Sequence, residues 1–388
     1  MPGKRTSINP PEANRLCKRC EIQESLVVIR AEPLCRDCFT RYVHTKVAKR
    51  METFRVRYSG IGQQRKLLLP ISFGVSSVTL LHVLNHHLGL QQEKTGRTGF
   101  DLHVVHVDTS DVEDNTAGAA LMHVVQKRYP RHTYSSILLS DVYDSEEALS
   151  VLNMLEPETN KAIEKHTALH DRLSALLASL PSATSRADMV QILRTRLAVR
   201  FAKLHGCEAI LWGDSTTRLA ERTLAETAKG RGFALPWNTA DGESPHGLAF
   251  YYPMRDLLKK ELIAHADLAQ PPLAPLLWEE NRKVAVSTKN VTIDELMARY
   301  FETVEKDYPS IVANVVKTTG KLKAPVTSAD DTACGLCHMP LIEPRFQVEQ
   351  RCDGQSKDSM QVEAPRALEL SLCYGCARTM PEDTGLLP

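Results

Sequence analysis

The sequence lacks any apolar run of the roughly 20 residues that a membrane-spanning helix needs. Its first residues are polar and contain several prolines, so the apolar stretch of a secretory signal is missing as well. Compositional bias is absent, because 43% hydrophobic and 24% charged residues are ordinary for globular proteins and exclude a mainly disordered or fibrous chain. We expect a soluble, cytoplasmic protein without membrane contact, whose 388 residues form two or three domains.

Net charge is almost absent overall, at +1, but it is unevenly distributed. Residues 1–66 contain 15 Lys and Arg against 6 Asp and Glu, a net charge of +9, which leaves −8 for the other 322 residues. A basic module of this kind is typical of proteins that bind a phosphate backbone. A solvated or partner-facing surface explains the same charge equally simply.

Cysteines are too sparse for a disulfide scaffold, since the chain has ten in 388 residues. Two C-x-x-C pairs direct four sulfurs at one ion, which is the tetrahedral shell that Zn²⁺ prefers, and four thiolates leave no open coordination position. We therefore predict two structural zinc sites rather than redox motifs, because the pairs come in twos at each end. Their ligands would be Cys17, Cys20, Cys35 and Cys38, and then Cys334, Cys337, Cys373 and Cys376.

The residues around these pairs carry further expectations. Residues 25–29 read Ser-Leu-Val-Val-Ile and suit a hairpin that returns the chain to the first ion. His44 and His338 are surplus to a four-cysteine shell, and we expect both at the surface. Cys207 precedes an apolar strand and is expected to be a small buried residue, whereas Cys352 is read as a surplus thiol.

Between the cysteine modules, apolar strands alternate with amphipathic helices. The pattern predicts strands at residues 66–72, 101–108, 134–139, 209–213 and 249–253, with helices at 78–88, 115–128, 186–205, 216–229 and from about 255. This rhythm indicates an α/β fold with a parallel five-stranded sheet and helices on both faces. The predicted domains are a zinc module at 1–60, an α/β domain at 61–319 with a helical insertion at 141–185, and a linker with a second zinc module at 320–388.

Ligands of such folds bind beyond the carboxyl ends of the strands, near helix N-termini. The turn after the first strand is rich in small residues and opens a helix; it contains Ser72, Phe73, Gly74, Ser76 and Ser77. Serine hydroxyls and free N–H groups at such a turn can hold a phosphate. A plain capped turn is the simpler interpretation of this segment alone.

The chain resembles the PP-loop ATP pyrophosphatases that thiolate tRNA. The resemblance rests on the S-x-G-x-S-S turn, on the run from Gly213 to Ala220-Glu221 after the fourth strand and on the paired cysteine modules. Within them the chain is most similar to the cytoplasmic tRNA 2-thiolation protein 2 family. The resemblance extends from about residue 17 to residue 376 and is weakest in the insertion. It implies the PP-loop type of α/β sheet, flanked by the two metal modules.

The chain also departs from the pattern of active PP-loop members, which read Ser-Gly-Gly-x-Asp-Ser. Phe73 replaces a glycine that lets phosphate approach the backbone, and Ser76 replaces the acidic residue. In the second loop Asp214 stands for a histidine, while Thr217 and Arg218 stand for an acidic pair. The cysteines of sulfur transfer are missing too, since residues 187–194 contain none and none lies between positions 207 and 334.

These departures imply a subunit with no catalytic residue, leaving ATP and any iron–sulfur cluster to an active PP-loop partner in a heterodimer. The resemblance further implies thiolation of the wobble uridine (U34) of tRNA Lys, Gln and Glu, with sulfur from a thiocarboxylated ubiquitin-related modifier that reaches this chain only indirectly. The residues offered for tRNA binding are Arg15, Lys18, Arg19, Arg36, Arg41, Arg194, Arg196 and Arg200. The alternative interpretation is that these side chains form a solvated face. Two other functions stay open: a self-sufficient ATP-dependent tRNA-modifying enzyme and a zinc-stapled RNA-binding adaptor unrelated to thiolation.

Overall fold

The fold is taken from a computed structural model of the chain. It describes residues 15–29, 31–60, 64–110, 112, 117–145, 152, 169–278, 291–325, 332–341 and 371–380. Cys352 and much of the insertion lie outside these residues. No helix in the described ranges is both long and apolar enough to span a membrane.

The core of the fold is a six-stranded sheet with the strand order β5-β4-β3-β6-β8-β7. Five strands run parallel, as predicted, and their bounds lie within about two residues of the sequence-based ones. The structure adds a short antiparallel edge strand, so the predicted five-stranded sheet is one strand too small. The strands are β3 (Lys66–Pro70), β4 (Asp101–Asp108), β5 (Thr133–Leu138), β6 (Ala209–Leu211), β7 (Gly242–Glu243) and β8 (Ala249–Tyr251).

Helices cover both faces of this sheet, which explains why the central strands are continuously apolar. Leu67 and Leu69 of β3 face one core, while Leu68 faces the other, because successive side chains of a strand point to opposite sides. The helices of the α/β domain are α2 (Val75–Thr95), α3 (Ala117–Arg128), α4 (Leu169–Ser179), α5 (Ala183–Leu204), α6 (Thr216–Ala228), α7 (Leu235–Asn238), α8 (Lys259–Leu268), α9 (Ile293–Asp307) and α10 (Pro309–Thr319).

The N-terminal module is a small hairpin followed by helix α1 (Arg36–Arg50). Its strands β1 (Val27–Ile29) and β2 (Glu32–Leu34) pair antiparallel, which confirms the expected hairpin between the first two cysteine pairs. Helix α1 packs on α2 and α8 and shares their apolar core. Arg50 fixes its end to the α/β domain, donating from Nε to the Oδ2 atom of Asp256 at 2.7 Å.

The C-terminal module is built from residues 332–341 and 371–380, which include the short helix α11 (Tyr374–Ala377). Its cysteines share an apolar core with Met189 of α5 and Trp237 of α7. Arg196 of α5 donates to the carbonyl oxygens of Gly335 and Leu336, at 2.5 and 3.0 Å. The module is therefore packed against the carboxyl-end side of the sheet rather than tethered loosely to it.

Candidate nucleotide loop and metal centres

Strand order places two loops at the topological switch point of the sheet. β3 and β6 are neighbours, whereas the chain leaves β3 toward β4 on one side and continues from β6 toward β8 on the other. In open α/β sheets this is where ligands bind. The loop after β3, residues 71–74, and the loop after β6, residues 212–215, therefore define the candidate nucleotide site.

The loop after β3 places an exposed serine, Ser72, near the buried Ser77 at the start of α2. Gly74 is the N-cap residue of α2, with extended backbone angles. The Ser77 hydroxyl donates to the Gly74 carbonyl oxygen at 3.1 Å and lies 3.4 Å from the Ser72 hydroxyl. Among the described residues no side chain caps the start of α2, and these two serines interact with the loop itself.

Phe73 has the most unusual geometry in this loop. Its φ is +56°, a left-handed conformation that is rare for a bulky residue and easy for glycine. Its ring is fully buried (0% exposed), with its centroid 4.8 Å from that of His106, and its carbonyl accepts a hydrogen bond from the Trp278 N–H at 2.9 Å. The backbone thus keeps a glycine-like shape while an aromatic ring fills space that a glycine would leave open.

The loop after β6 passes very close to the start of α2. A Cβ added to Gly213 would lie 2.8 Å from the Cα of Ser77, so only glycine fits there. Ser215 caps α6 by accepting from the Arg218 N–H at 3.1 Å. The two loops are therefore in direct backbone contact.

Several polar residues of the second loop and of α6 pair within the protein, although the Trp212 Nε1 atom is buried without a hydrogen bond among the described residues. Asp214 pairs with Arg222 at 2.9 Å, and Arg218 pairs with Glu221 at 3.1 Å. The Thr217 hydroxyl donates to a carboxylate oxygen of Glu305 on α9. Thr217 thus links α6 to α9, and Arg218 forms an ion pair within α6 itself.

A buried charge network occupies the stretch where sulfur-transferring relatives would need cysteines. Asp188 of α5 is 3% exposed and accepts from Arg231 and from the Lys229 ammonium, the latter at 2.9 Å. Glu226 pairs with both cations, at 2.8 Å each. Burial alone would raise the pKa of Glu226, but Arg231 and Lys229 outweigh burial and lower that pKa to about 2.

This network lines a small cavity of about 80 Å³ at the carboxyl ends of β6 and β8. Trp212 and Tyr252, which follow those strands, form one wall, and Cys337 and Met339 of the C-terminal module form another. Thr379 of the same module donates to Asp188 at 3.3 Å. The module therefore covers the cavity and contributes to its polar lining.

Both predicted cysteine groups assemble as expected. In each group the four sulfurs lie within 4.8 Å of one another, and the Cys20–Cys35 and Cys337–Cys373 sulfurs are each 3.8 Å apart. A tetrahedral ion with metal–sulfur bonds of about 2.3 Å would hold its sulfurs about 3.8 Å apart. The donor sets therefore fit one ion each, and four sulfurs would complete its shell.

The residues predicted to bind tRNA fall into two structural groups. Arg15, Lys18, Arg19 and Arg41 are exposed on the N-terminal module, and Arg36 is half-buried. Lys18 and Arg19 lie 3.9 and 3.6 Å from Glu32.

The arginines of α5 are instead engaged inside the protein. Arg194 donates to Thr109 at 3.2 Å, and Arg196 donates to the C-terminal module as described above. Arg200 donates to the carbonyl oxygens of Asp141 and Asp144, each at 3.0 Å. Contact of either group with tRNA stays a prediction.

Two features escaped the sequence analysis. Nothing in the sequence pairs Asp188 with Arg231, 43 positions away. His44 was expected at the surface but is half-buried against other histidines, because α1 packs its face onto α2 and α8. The one available sequence signal was the spacing of His82 and His86, which places both on one face of α2.

Comparison with known proteins agrees with this architecture. Residues 292–378 match the family model of cytoplasmic tRNA 2-thiolation protein 2. Proteins of that name from Phaeosphaeria nodorum and Pyrenophora tritici-repentis are 47% and 46% identical, over 98% and 99% of this chain and 98% of each relative. Among solved structures, the U34-tRNA thiolase NcsA from Methanococcus maripaludis with its [4Fe-4S] cluster is similar in fold. That match has a TM-score of 0.55, 13% identity, and coverage of 84% of this chain and 92% of the thiolase chain.

The predicted PP-loop α/β fold is thereby confirmed, since the thiolase shares the sheet and its flanking helices. Identity above 45% over nearly the full length of two relatives settles the family. The chain belongs to the cytoplasmic tRNA 2-thiolation protein 2 family, and its role lies in tRNA thiolation.

Proposed function

We propose that this chain is the non-catalytic subunit of a cytoplasmic complex that 2-thiolates the wobble uridine (U34) of tRNA Lys, Gln and Glu. An active PP-loop partner would bind ATP and any iron–sulfur cluster and would activate the uridine. Sulfur would come from the thiocarboxylated end of a ubiquitin-related modifier. This chain would stabilise the partner and help to hold the tRNA.

The observation that carries the proposal is the buried ring of Phe73 in the loop after β3. A phosphate-binding loop needs backbone N–H groups that a phosphate can approach closely. Here the position with glycine-like φ carries a ring packed on His106. The side chain thus takes the space that an incoming phosphate would need.

The missing sulfur chemistry supports the same conclusion. A thiolate is required to carry a persulfide or to ligate a cluster. Residues 187–194 contain no cysteine, and Asp188 at this place is committed to Arg231 and Lys229. Cys207 is 5% exposed, and burial raises the pKa of its thiol, which disfavours the reactive thiolate.

We further propose that both four-cysteine groups hold Zn²⁺. Their sulfurs are spaced for a single ion, and all-thiolate tetrahedral sites are typical of structural zinc. A four-iron cluster would attach each cysteine to a different iron and so spread the sulfurs more widely. The zinc ions would fold the modules, because metal binding and folding are coupled in such small units.

Three assays on the purified full chain and on a deletion strain test this function. The chain alone, supplied with ATP, tRNA and a sulfur donor, is expected to release no AMP and to form no 2-thiouridine. Deleting the gene should abolish 2-thiouridine in the three tRNAs, measured by mass spectrometry of nucleosides. Turnover by the isolated chain would show a self-sufficient enzyme, whereas unchanged 2-thiouridine after deletion would leave only an RNA-binding adaptor.

Contact with tRNA is tested separately through the salt dependence of binding. Each true phosphate contact that is removed should reduce the slope of log affinity against log salt by about 0.7–0.9. Lys18→Gln and Arg41→Gln are expected to show this reduction. Lys94→Gln, which removes an exposed charge at the far end of α2, is the matched control and should leave the slope unchanged. Equal slopes for all three variants would contradict tRNA contact by the N-terminal module.

A further inference from the structure

Four of the five histidines that line one cavity between the N-terminal module and the sheet domain have neighbouring rings and come from three helices. We call them the histidine cluster: His44 of α1, His82 and His86 of α2, and His265 of α8. The His44 ring lies 4.8 Å from His86, 5.5 Å from His265 and 6.2 Å from His82, measured between centroids. His82 and His265 are 5.8 Å apart. None of these residues belongs to the cysteine groups or to the candidate nucleotide site.

This spacing suits coordination of one ion. Imidazole nitrogens bind Zn²⁺ at about 2.0–2.1 Å, which places tetrahedrally arranged ring centroids about 5 Å apart. His82 and His86 are separated by one helical turn, the same i, i+4 arrangement by which helices offer two imidazoles to a metal. His44 and His265 come from the two helices that face this turn.

The cluster also contains polar atoms that the rest of the described structure leaves without partners. The Nε2 atom of His44 and both ring nitrogens of His265 are buried and make no hydrogen bond there. His265 is 1% exposed, so its ring is buried beside the cavity that it lines. Buried polar atoms are rarely orphaned, and an ion is one of the few groups that accounts for such a set.

The surroundings prepare the rings for metal binding. Burial, together with neighbouring histidines, lowers the pKa of His44 to about 3, and burial lowers the pKa of His265 to about 4, so both rings are neutral, the form that ligates. The Nδ1 atom of His82 lies 2.9 Å from the Tyr129 hydroxyl. Such an outer hydrogen bond fixes a ring and leaves its Nε2 atom free for an ion.

Space and access are present as well. The cavity has a volume of about 610 Å³, and its lining includes the polar residues Asp37, Arg41 and Gln270. In the described ranges only the two cysteine groups already hold three or more ligand atoms within 4.8 Å. The histidine rings would therefore rotate about their side-chain torsions to close on an ion.

We propose that the histidine cluster is a third metal site, which binds a borderline divalent ion such as Zn²⁺ through nitrogen alone. Imidazole ligands suit Zn²⁺, Cu²⁺ and Ni²⁺, whereas hard ions prefer oxygen. Bound there, the ion joins α1 of the N-terminal module directly to α2 and α8 of the sheet domain. Its effect is to fix the orientation of the basic module.

Elemental analysis of the zinc-loaded, desalted full chain tests the site. The wild-type protein is expected to retain three zinc ions per chain, and the double variant His82→Gln/His86→Gln is expected to retain two. The matched control is His103→Gln/His205→Gln, a second histidine pair with rings 5.1 Å apart, whose nitrogens lie near the Ser135 hydroxyl and the Phe201 carbonyl. The control should keep three ions. Two ions in the wild type, or three in the cluster variant, would overturn the proposal.

A second measurement keeps the test decisive should the double variant fold poorly. The single variant His86→Gln changes an exposed residue. In chelator competition, its third site should bind zinc at least 10-fold more weakly than that of the wild type, while both cysteine sites remain filled. Co²⁺ added to protein holding two zinc ions should give d–d absorption without a thiolate charge-transfer band. A charge-transfer band would place the added ion on cysteine and refute nitrogen-only binding.

Discussion

Replacing Phe73 by glycine tests whether the loop after β3 is closed by a packed ring. Removing a fully buried phenylalanine side chain costs about 3–5 kcal/mol of folding free energy. Relief of the left-handed backbone at φ +56° returns about 1–2 kcal/mol, and the greater freedom of glycine in the unfolded chain costs about 0.5–1 kcal/mol. The net expectation for Phe73→Gly is a loss of about 3 kcal/mol.

The matched variant Phe73→Ala separates packing from backbone strain. At an ordinary position alanine is more stable than glycine by about 0.5–1 kcal/mol. At a left-handed position the order reverses, because alanine keeps the strain that glycine relieves. Phe73→Ala should therefore be less stable than Phe73→Gly by about 1 kcal/mol, although it removes fewer atoms.

Urea unfolding of the three proteins, followed by circular dichroism, measures both differences, and calorimetry with Mg-ATP follows nucleotide binding. The wild type should give no binding heat, since the ring occupies the loop. Wobble thiolation in cells should fall only as far as the amount of folded variant falls. A glycine variant as stable as the wild type, or an alanine variant more stable than the glycine variant, would refute the packed, strained loop. Tight ATP binding by the wild type would refute its closure.

The remaining predictions concern metal, buried charge and pH. Cys376→Ser should release one metal ion per chain in elemental analysis, and Cys207→Ser should release none. Arg231→Met should lower the unfolding free energy by about 3–5 kcal/mol, because it leaves the buried Asp188 and Glu226 carboxylates to share Lys229, and adding Asp188→Asn should recover most of the loss in urea titrations. Burial lowers the pKa of His132 from 6.5 to about 4, so the unfolded state binds the extra proton. His132 alone should contribute a loss of stability of up to about 3 kcal/mol as pH drops from 6.5 to 4, and His132→Gln should reduce the slope of stability against pH by that contribution in pH-dependent thermal melts.

The local sequence pattern was sufficient to predict the parallel strands of the sheet. β3 was predictable because three consecutive leucines are buried on both faces, and β4 because four of its eight residues are leucine or valine. Helix α2 was predicted too short, since its last turn is the polar run at residues 91–95, which carries no apolar periodicity. Strand β7 has two residues and no pattern, and it exists because β8 offers it an edge.

Contacts between segments that lie far apart in the chain could not be predicted from the sequence. The cysteine groups could be predicted because metal chemistry fixes both spacing and ligand type. No comparable rule joins His44 to His265, or Thr217 to Glu305, because these pairs form only when helices that lie far apart in sequence pack together. The position of Phe73 was flagged by the family pattern, but its left-handed backbone was visible only in the structure.

Active sites usually reduce stability, because they hold open space, strained backbone and unpaired charge ready for a substrate. At this switch point Phe73 keeps a strained, left-handed backbone, but several side chains make contacts within the chain. The ring of Phe73 fills the first loop, Arg218 pairs with Glu221, and Asp188 is neutralised by two cations. Each of these groups now binds another part of the same chain. A sheet whose loops make such internal contacts is suited to hold its two cysteine modules and its surface in place. We therefore look for its contribution to tRNA thiolation at that surface rather than in the loops.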